Sequence, residues 1–192
     1  LELYKRLYDA GVTPKDSTTY EYAEANAAFG SGQAATMLQW NAAFGDLDDP
    51  EKTPAVGGKI GTVAPPTRPE GRFTHIHGLG LGINSASENK EGAKKFLTWL
   101  ASPEAITEYA IAGGSPAVGA AILDTISKDR PDLVKLGNFA GSYGFVMNGG
   151  TAGKALSVYE LQAKEFTAYW SGEKSLDDAL AGQGQRALLH DL

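Results

Sequence analysis

The sequence contains no cysteine, which removes disulfides, thiolate metal sites and cysteine nucleophiles from consideration. It has no apolar run approaching the ~20 residues of a membrane span. It also lacks any run of basic residues, and its net charge is −6, from 17 Lys+Arg against 23 Asp+Glu. Displacing counterions from phosphate needs concentrated positive charge, so no nucleic-acid partner is expected. There is no initiator Met and no signal peptide ahead of Leu1, so the chain is expected to be processed or excerpted from a longer protein. What is present is ordinary for a globular protein: 42% hydrophobic and 21% charged residues over 192 positions. A chain of that length can bury roughly 70% of its unfolded surface.

Helix signals are frequent. Thr18-Thr19-Tyr20-Glu21 has the form of a capping box and predicts a helix to about Phe29, stopped at Gly30-Ser31-Gly32. A second helix is predicted from Lys90 to Ala101, with Ala93, Phe96, Leu97 and Leu100 on one face. Ser102-Pro103-Glu104 starts a third, with an N-cap, proline at the first position and an early acid, and Gly113-Gly114 ends it. Ala117–Ser127 is a further candidate, and Asp129-Arg130-Pro131 opens a short one. A long amphipathic helix carries Ala155, Val158, Tyr159, Gln162, Phe166 and Tyr169 up to Gly172, and Ser175 caps the last. Strands are predicted at Ala35–Trp40, Lys59–Pro65 and His75–Asn84, with a surface loop over Gly45–Gly58. Glycines at alternate positions 78, 80 and 82 predict a close approach of backbone or ligand to the last strand. Short strands between helices predict an α/β layered fold.

Catalytic and metal chemistry find little support. His75 and His77 lie two apart, so a strand would aim both rings to one side, but no third or fourth ligand stands at a useful spacing. Polar pocket lining or plain surface is the better reading, and no metal is expected. Gly78-x-Gly80-x-Gly82 lacks the strand-to-helix turn of a dinucleotide fingerprint. In Gly149-Gly150-Thr151-Ala152-Gly153-Lys154-Ala155 the first glycine of a phosphate loop is replaced by Asn148, and alanine stands where magnesium needs a hydroxyl. The acid pairs Asp48-Asp49 and Asp177-Asp178 fit a loop and a helix first turn. No catalytic residue and no cofactor is assigned. Trp40 followed by Asn41 offers an aromatic face beside an amide, which suits stacking on sugar C–H groups while hydroxyls are bonded. A core position fits Trp40 equally well on these residues alone.

Four stretches, in order along the chain, resemble the extracellular solute-binding proteins of bacterial ABC sugar transporters, the family that includes maltose-binding protein. Phe29-Gly30-Ser31-Gly32-Gln33-Ala34-Ala35 is similar to the family's F-x-x-G-x-A-A-M segment, which leads to a ligand-stacking tryptophan, here Trp40. Gly58-Lys59-Ile60-Gly61-Thr62-Val63-Ala64-Pro65-Pro66 is similar to its G-x-x-G-x-x-x-x-P strand. Gly78–Asn84 with Asn89-Lys90 and Ala93-x-x-Phe96 resembles its crossing strand and helix, and Ser171–Leu180 its closing helix. Thr36 stands where the family usually has Met, and His77-Gly78 where a paired glycine is usual, so a histidine enters the expected pocket.

The resemblance implies a periplasmic-binding-protein-like fold of the second type, and mostly its C-terminal lobe. Residues 1–76 and 115–192 would form that lobe. Residues 77–114 would be a crossing strand and helices that pack on an N-terminal lobe absent from this chain. The apolar faces of those helices would then need another partner, such as a second copy of the chain. Trp40, Asn41, His77, Gly78, Ser115, Tyr143 and Asn148 are the ligand-binding residues that the resemblance and the residue chemistry select. The implied function is to bind a sugar or polyol outside the cytoplasm, in the periplasm or at the cell envelope, and deliver it to the membrane permease subunits. Two alternatives stand beside it. A carbohydrate-processing enzyme would need two carboxylates about 5–10 Å apart across a cleft. A non-catalytic interaction domain would have no pocket lined by Trp40.

Overall fold

The computed structural model describes residues 1–78, 80–116, 119–146 and 154–189. Its helices, in chain order, are α1 (Glu2–Asp9), α2 (Tyr22–Gly30), α3 (Phe44–Leu47), α4 (Lys90–Leu100), α5 (Pro103–Ile111), α6 (Ala120–Ile126), α7 (Pro131–Tyr143), α8 (Ala155–Trp170) and α9 (Leu176–Leu189). Single 3-10 turns cover Ser17–Thr19 and Asn41–Ala43. Two short strands, β1 (Thr74–His75) and β2 (Gly144–Phe145), pair in parallel. The chain forms two compact units, Leu1–Met37 with Asn148–Leu192, and Leu38–Met147. Among the described residues no helix is long and apolar enough to cross a membrane.

In the first unit α8 is the central element, touching α9 and α1. Tyr4 of α1 meets Trp170 with ring centroids 5.5 Å apart, and the Trp170 indole N–H donates to the Leu1 carbonyl at 3.3 Å. Glu165, 1% exposed, receives a hydrogen bond from Lys174. Positive-φ Gly172 lets the chain leave α8, and the Ser175 hydroxyl accepts from the Asp178 N–H at 3.1 Å to start α9. α2 begins later than its predicted cap. The Thr19 hydroxyl is spent on the Asp16 carbonyl within the 3-10 turn, and the Glu21 N–H instead donates to the Glu24 carboxylate at 3.1 Å.

In the second unit the core is Ala110, Ile126 and Leu133, with Ile122, Leu123 and Leu136 against it, so α5, α6 and α7 pack together. α4 and α5 form as predicted because their starts are capped locally. The Asn89 side chain accepts from Gly92 N–H, and the Ser102 hydroxyl from Ala105 N–H at 3.2 Å. Ser102→Ala should therefore cost about 1 kcal/mol, read as a lowered denaturation midpoint, whereas an unchanged midpoint would mean the cap contributes nothing. α7 is 13 residues long, where a short helix was expected.

The strands depart most from expectation. Ala35–Trp40 and Lys59–Pro65 form no ladder, and Ala35, Leu38 and Trp40 are exposed instead of buried. Parallel strands need paired neighbours and covered faces, and among the described residues only Thr74 and His75 find them, opposite Gly144 and Phe145. The Ile76 N–H extends the pairing by donating to Phe145 O at 2.8 Å. Beyond that the 76–84 stretch runs unpaired among the described residues, and nothing lies within 4 Å of where side chains at Gly78, Gly80 or Gly82 would begin. Among the described residues no backbone makes the close approach expected there. Among the described residues the expected α/β fold is thus realised as mainly helical, with one parallel strand pair.

Candidate functional site

The second unit gathers several of the selected residues. Trp40 is extended (φ −64°, ψ 138°) and leads directly into the 3-10 turn Asn41–Ala43 and α3. Ala43 and Leu47, 2% and 4% exposed, anchor that turn and helix, so the residue before them is held at a fixed surface position. The indole itself is 48% exposed. Trp40 is thus not part of this unit's own buried core.

Two imidazoles meet this indole. Its centroid lies 5.4 Å from His75 and 5.3 Å from His77, and the two imidazoles are 5.7 Å apart. β1 sets the first of them. Its pairing places Phe145 beside His75, at 5.6 Å, and Phe73 meets the same phenyl edge-on at 6.3 Å. Gly144 makes this possible: a Cβ there would collide with the Ala140 carbonyl and Ile76, so only glycine lets β2 follow α7 without a gap. Among the described residues no group of three or more His, Asp or Glu could hold a metal ion.

The amide of Asn41, the next residue along the chain after Trp40, donates from Nδ2 to the Ser115 hydroxyl at 3.2 Å. Ser115 lies just after α5, on the Gly113-Gly114 turn. Tyr143 ends α7 with the Arg72 guanidinium 5.3 Å over its ring, and Arg72 Nε donates to Thr67 Oγ1 at 3.1 Å. Gly78 is exposed, and Asn148 lies outside the described residues.

Trp40 and His77 therefore share one aromatic cluster, Asn41 and Ser115 share a hydrogen bond, and Tyr143 sits against Arg72. His75 belongs to the same cluster although only its neighbour was selected. The i, i+2 rule for strands was the signal for it. Phe73, Phe145 and Arg72 carried no such signal, because β1 meets β2 across some seventy positions of sequence.

Chemically, a half-exposed aromatic face with an amide, a hydroxyl and imidazole groups nearby can stack on an apolar face of a small solute while its polar edge is hydrogen-bonded. That is the equipment of a small-molecule binder. The sequence agrees at family level: residues 1–107 match the model of the bacterial extracellular solute-binding proteins, more than half of the chain, which belongs to that family. Proteins of this family bind solutes outside the cytoplasm and do not transform them. One relative is the probable amino-acid ABC transporter periplasmic-binding protein of Sinorhizobium fredii, 31% identical over 126 residues. Those residues are 66% of this chain and 26% of the relative, so the matched stretch spans about a quarter of that relative's length.

Proposed function

We propose that this chain is the solute-contacting part of an ABC importer's binding protein, which takes up a sugar or polyol and hands it to the permease. The observation that carries the proposal is Trp40, 48% exposed, in contact with two imidazoles and followed by an amide paired with a hydroxyl. An amide and a hydroxyl beside an aromatic face match a polyhydroxylated solute, whose hydroxyls both donate and accept. Trp40, Asn41, His77 and Ser115 would touch it, with Gly78 and Tyr143 at the border; Asn148, which the resemblance also selects, lies outside the described residues. In the lobe assignment that the resemblance implies, 1–76 and 115–192 belong to one lobe and 77–114 cross to the other. The exposed Phe96 and Trp99, stacked 5.8 Å apart on α4, are in keeping with a crossing segment that packs elsewhere in the whole protein.

A second reading, an amino acid as solute, is favoured by the name of the Sinorhizobium relative. An amino-acid zwitterion needs a cation for its carboxylate, and Arg72 is the charged group nearest in sequence to the imidazoles.

The affinity expected of this chain alone is low. Three hydrogen bonds at about 0.5–1.5 kcal/mol each, with partial stacking, give roughly 4 kcal/mol, or about millimolar binding. Calorimetry against glucose, maltose, mannitol and a panel of L-amino acids tests both readings. Weak heat with the sugars or mannitol alone supports the proposal. Binding of amino acids alone replaces it with the second reading, and micromolar or tighter binding contradicts the one-lobe estimate.

A further inference from the structure

Arg130 of the second unit is a buried cation, 6% exposed. Its Nε and Nη2 donate to the two carboxylate oxygens of Asp132, at 2.9 and 2.8 Å, in the fork geometry only arginine supplies. Its remaining Nη1 donates to two backbone carbonyls, those of Ala110 and Gly114. Ala110 is in the last turn of α5, and its carbonyl also accepts from the Gly113 N–H at 3.1 Å. Gly114 is the residue immediately before Ser115.

The same short loop is gripped from two more sides. A Cβ at Gly45, in α3, would lie 2.5 Å from the Gly113 carbonyl, so the two backbones are in direct contact. A Cβ at Gly114 would run into the Tyr109 ring. Gly113 itself takes φ 98°, which a side chain would resist. α3 follows directly on the turn that begins with Asn41, so both partners of the Asn41–Ser115 hydrogen bond are held by this packing.

We infer that Arg130 is a positioning residue: through the Gly114 carbonyl it sets Ser115 Oγ at the place where Asn41 is oriented toward the solute. The inference rests on the solute-site reading only for its effect on binding, because the orientation of Asn41 can be read without any solute. Asp132 aims the guanidinium, and a lysine in place of Arg130 has no planar fork with which to hold the carboxylate and both carbonyls together.

The test is a double-mutant cycle of Arg130→Lys with Ser115→Ala, read by the Asn41 side-chain amide resonances and by titration with whichever solute binds the wild-type chain. Each single substitution is expected to move the Asn41 resonances to a common new position and to weaken binding about tenfold. The double variant should be no weaker than either single one, since both act through one hydrogen bond. Asn41 resonances that stay at the wild-type position in folded Arg130→Lys, or losses that simply multiply, would overturn the inference. If Arg130→Lys does not fold, Arg130→Gln with Asp132→Asn removes the buried charges together and must give the same Asn41 displacement. If no solute binds, the solute-site reading falls, while the Asn41 resonances still decide whether Arg130 positions Ser115.

Discussion

Trp40→Ala in the full-length protein is expected to weaken solute binding by about ten- to a hundredfold while leaving the melting temperature almost unchanged. Loss of a stacked aromatic face at a partly desolvated site removes about 1.4–2.7 kcal/mol on the affinity scale. The indole is 48% exposed, and the residues that anchor its segment are Ala43 and Leu47, so little folding energy goes with it. Trp40→Phe keeps a smaller face and should retain most of the affinity. His77→Ala removes one of the two imidazoles at the indole and should fall between the two. The opposite pattern, unchanged affinity by calorimetry with a lowered melting temperature, would make Trp40 a packing residue.

Asp132→Ala should be the most destabilising single change in the second unit. Asp132 is 3% exposed and accepts on both carboxylate oxygens from a guanidinium that is itself buried. Removing one partner leaves a buried charge uncompensated, at a cost of about 3–5 kcal/mol. For a cooperative unit of this size the melting temperature should fall by more than about 10 °C. The exposed pair Lys94–Glu91, on α4, is the control: its side chains are 61% and 81% exposed, and Glu91→Ala should change stability by less than about 1 kcal/mol. Equal shifts for Asp132→Ala and Glu91→Ala, measured by calorimetric unfolding, would show that the buried network contributes no more than a surface pair.

How legible these features were depended on how local their causes are. α4, α5 and α8 could be read from the sequence because each carries its own start or stop within a few residues: Asn89, Ser102 with Pro103, and Gly172. The strands could not, because an apolar stretch states its own periodicity but not whether a neighbour exists to pair with it. Ala35–Trp40 has the composition of a buried strand but forms no ladder among the described residues and leaves Ala35, Leu38 and Trp40 exposed, while Gly144–Phe145, which does pair, is only two residues long. Within the candidate site, Trp40, Asn41, His77 and Ser115 came from side-chain chemistry and family resemblance. The Arg130 network gave no sign, since two of its acceptors are the backbone carbonyls of Ala110 and Gly114, which have no residue signature. In the sequence, Arg130 was visible only as part of a helix start.

The central claim is that solute binds against Trp40, and the three tryptophans of the chain allow it to be tested in one spectrum. Trp99 lies on α4 and Trp170 at the end of α8, each in an aromatic contact of its own with Phe96 or with Tyr4 and Phe166. With the three indole N–H resonances assigned by single Trp→Phe substitutions, the labelled chain would be titrated with glucose, maltose, mannitol and the amino-acid panel. A saturable shift of the Trp40 resonance, with those of Trp99 and Trp170 stationary, is the predicted result, and the solute that produces it names the class of cargo. Saturable movement of Trp99 or Trp170 with Trp40 unmoved would contradict the claim and place the solute elsewhere on the chain.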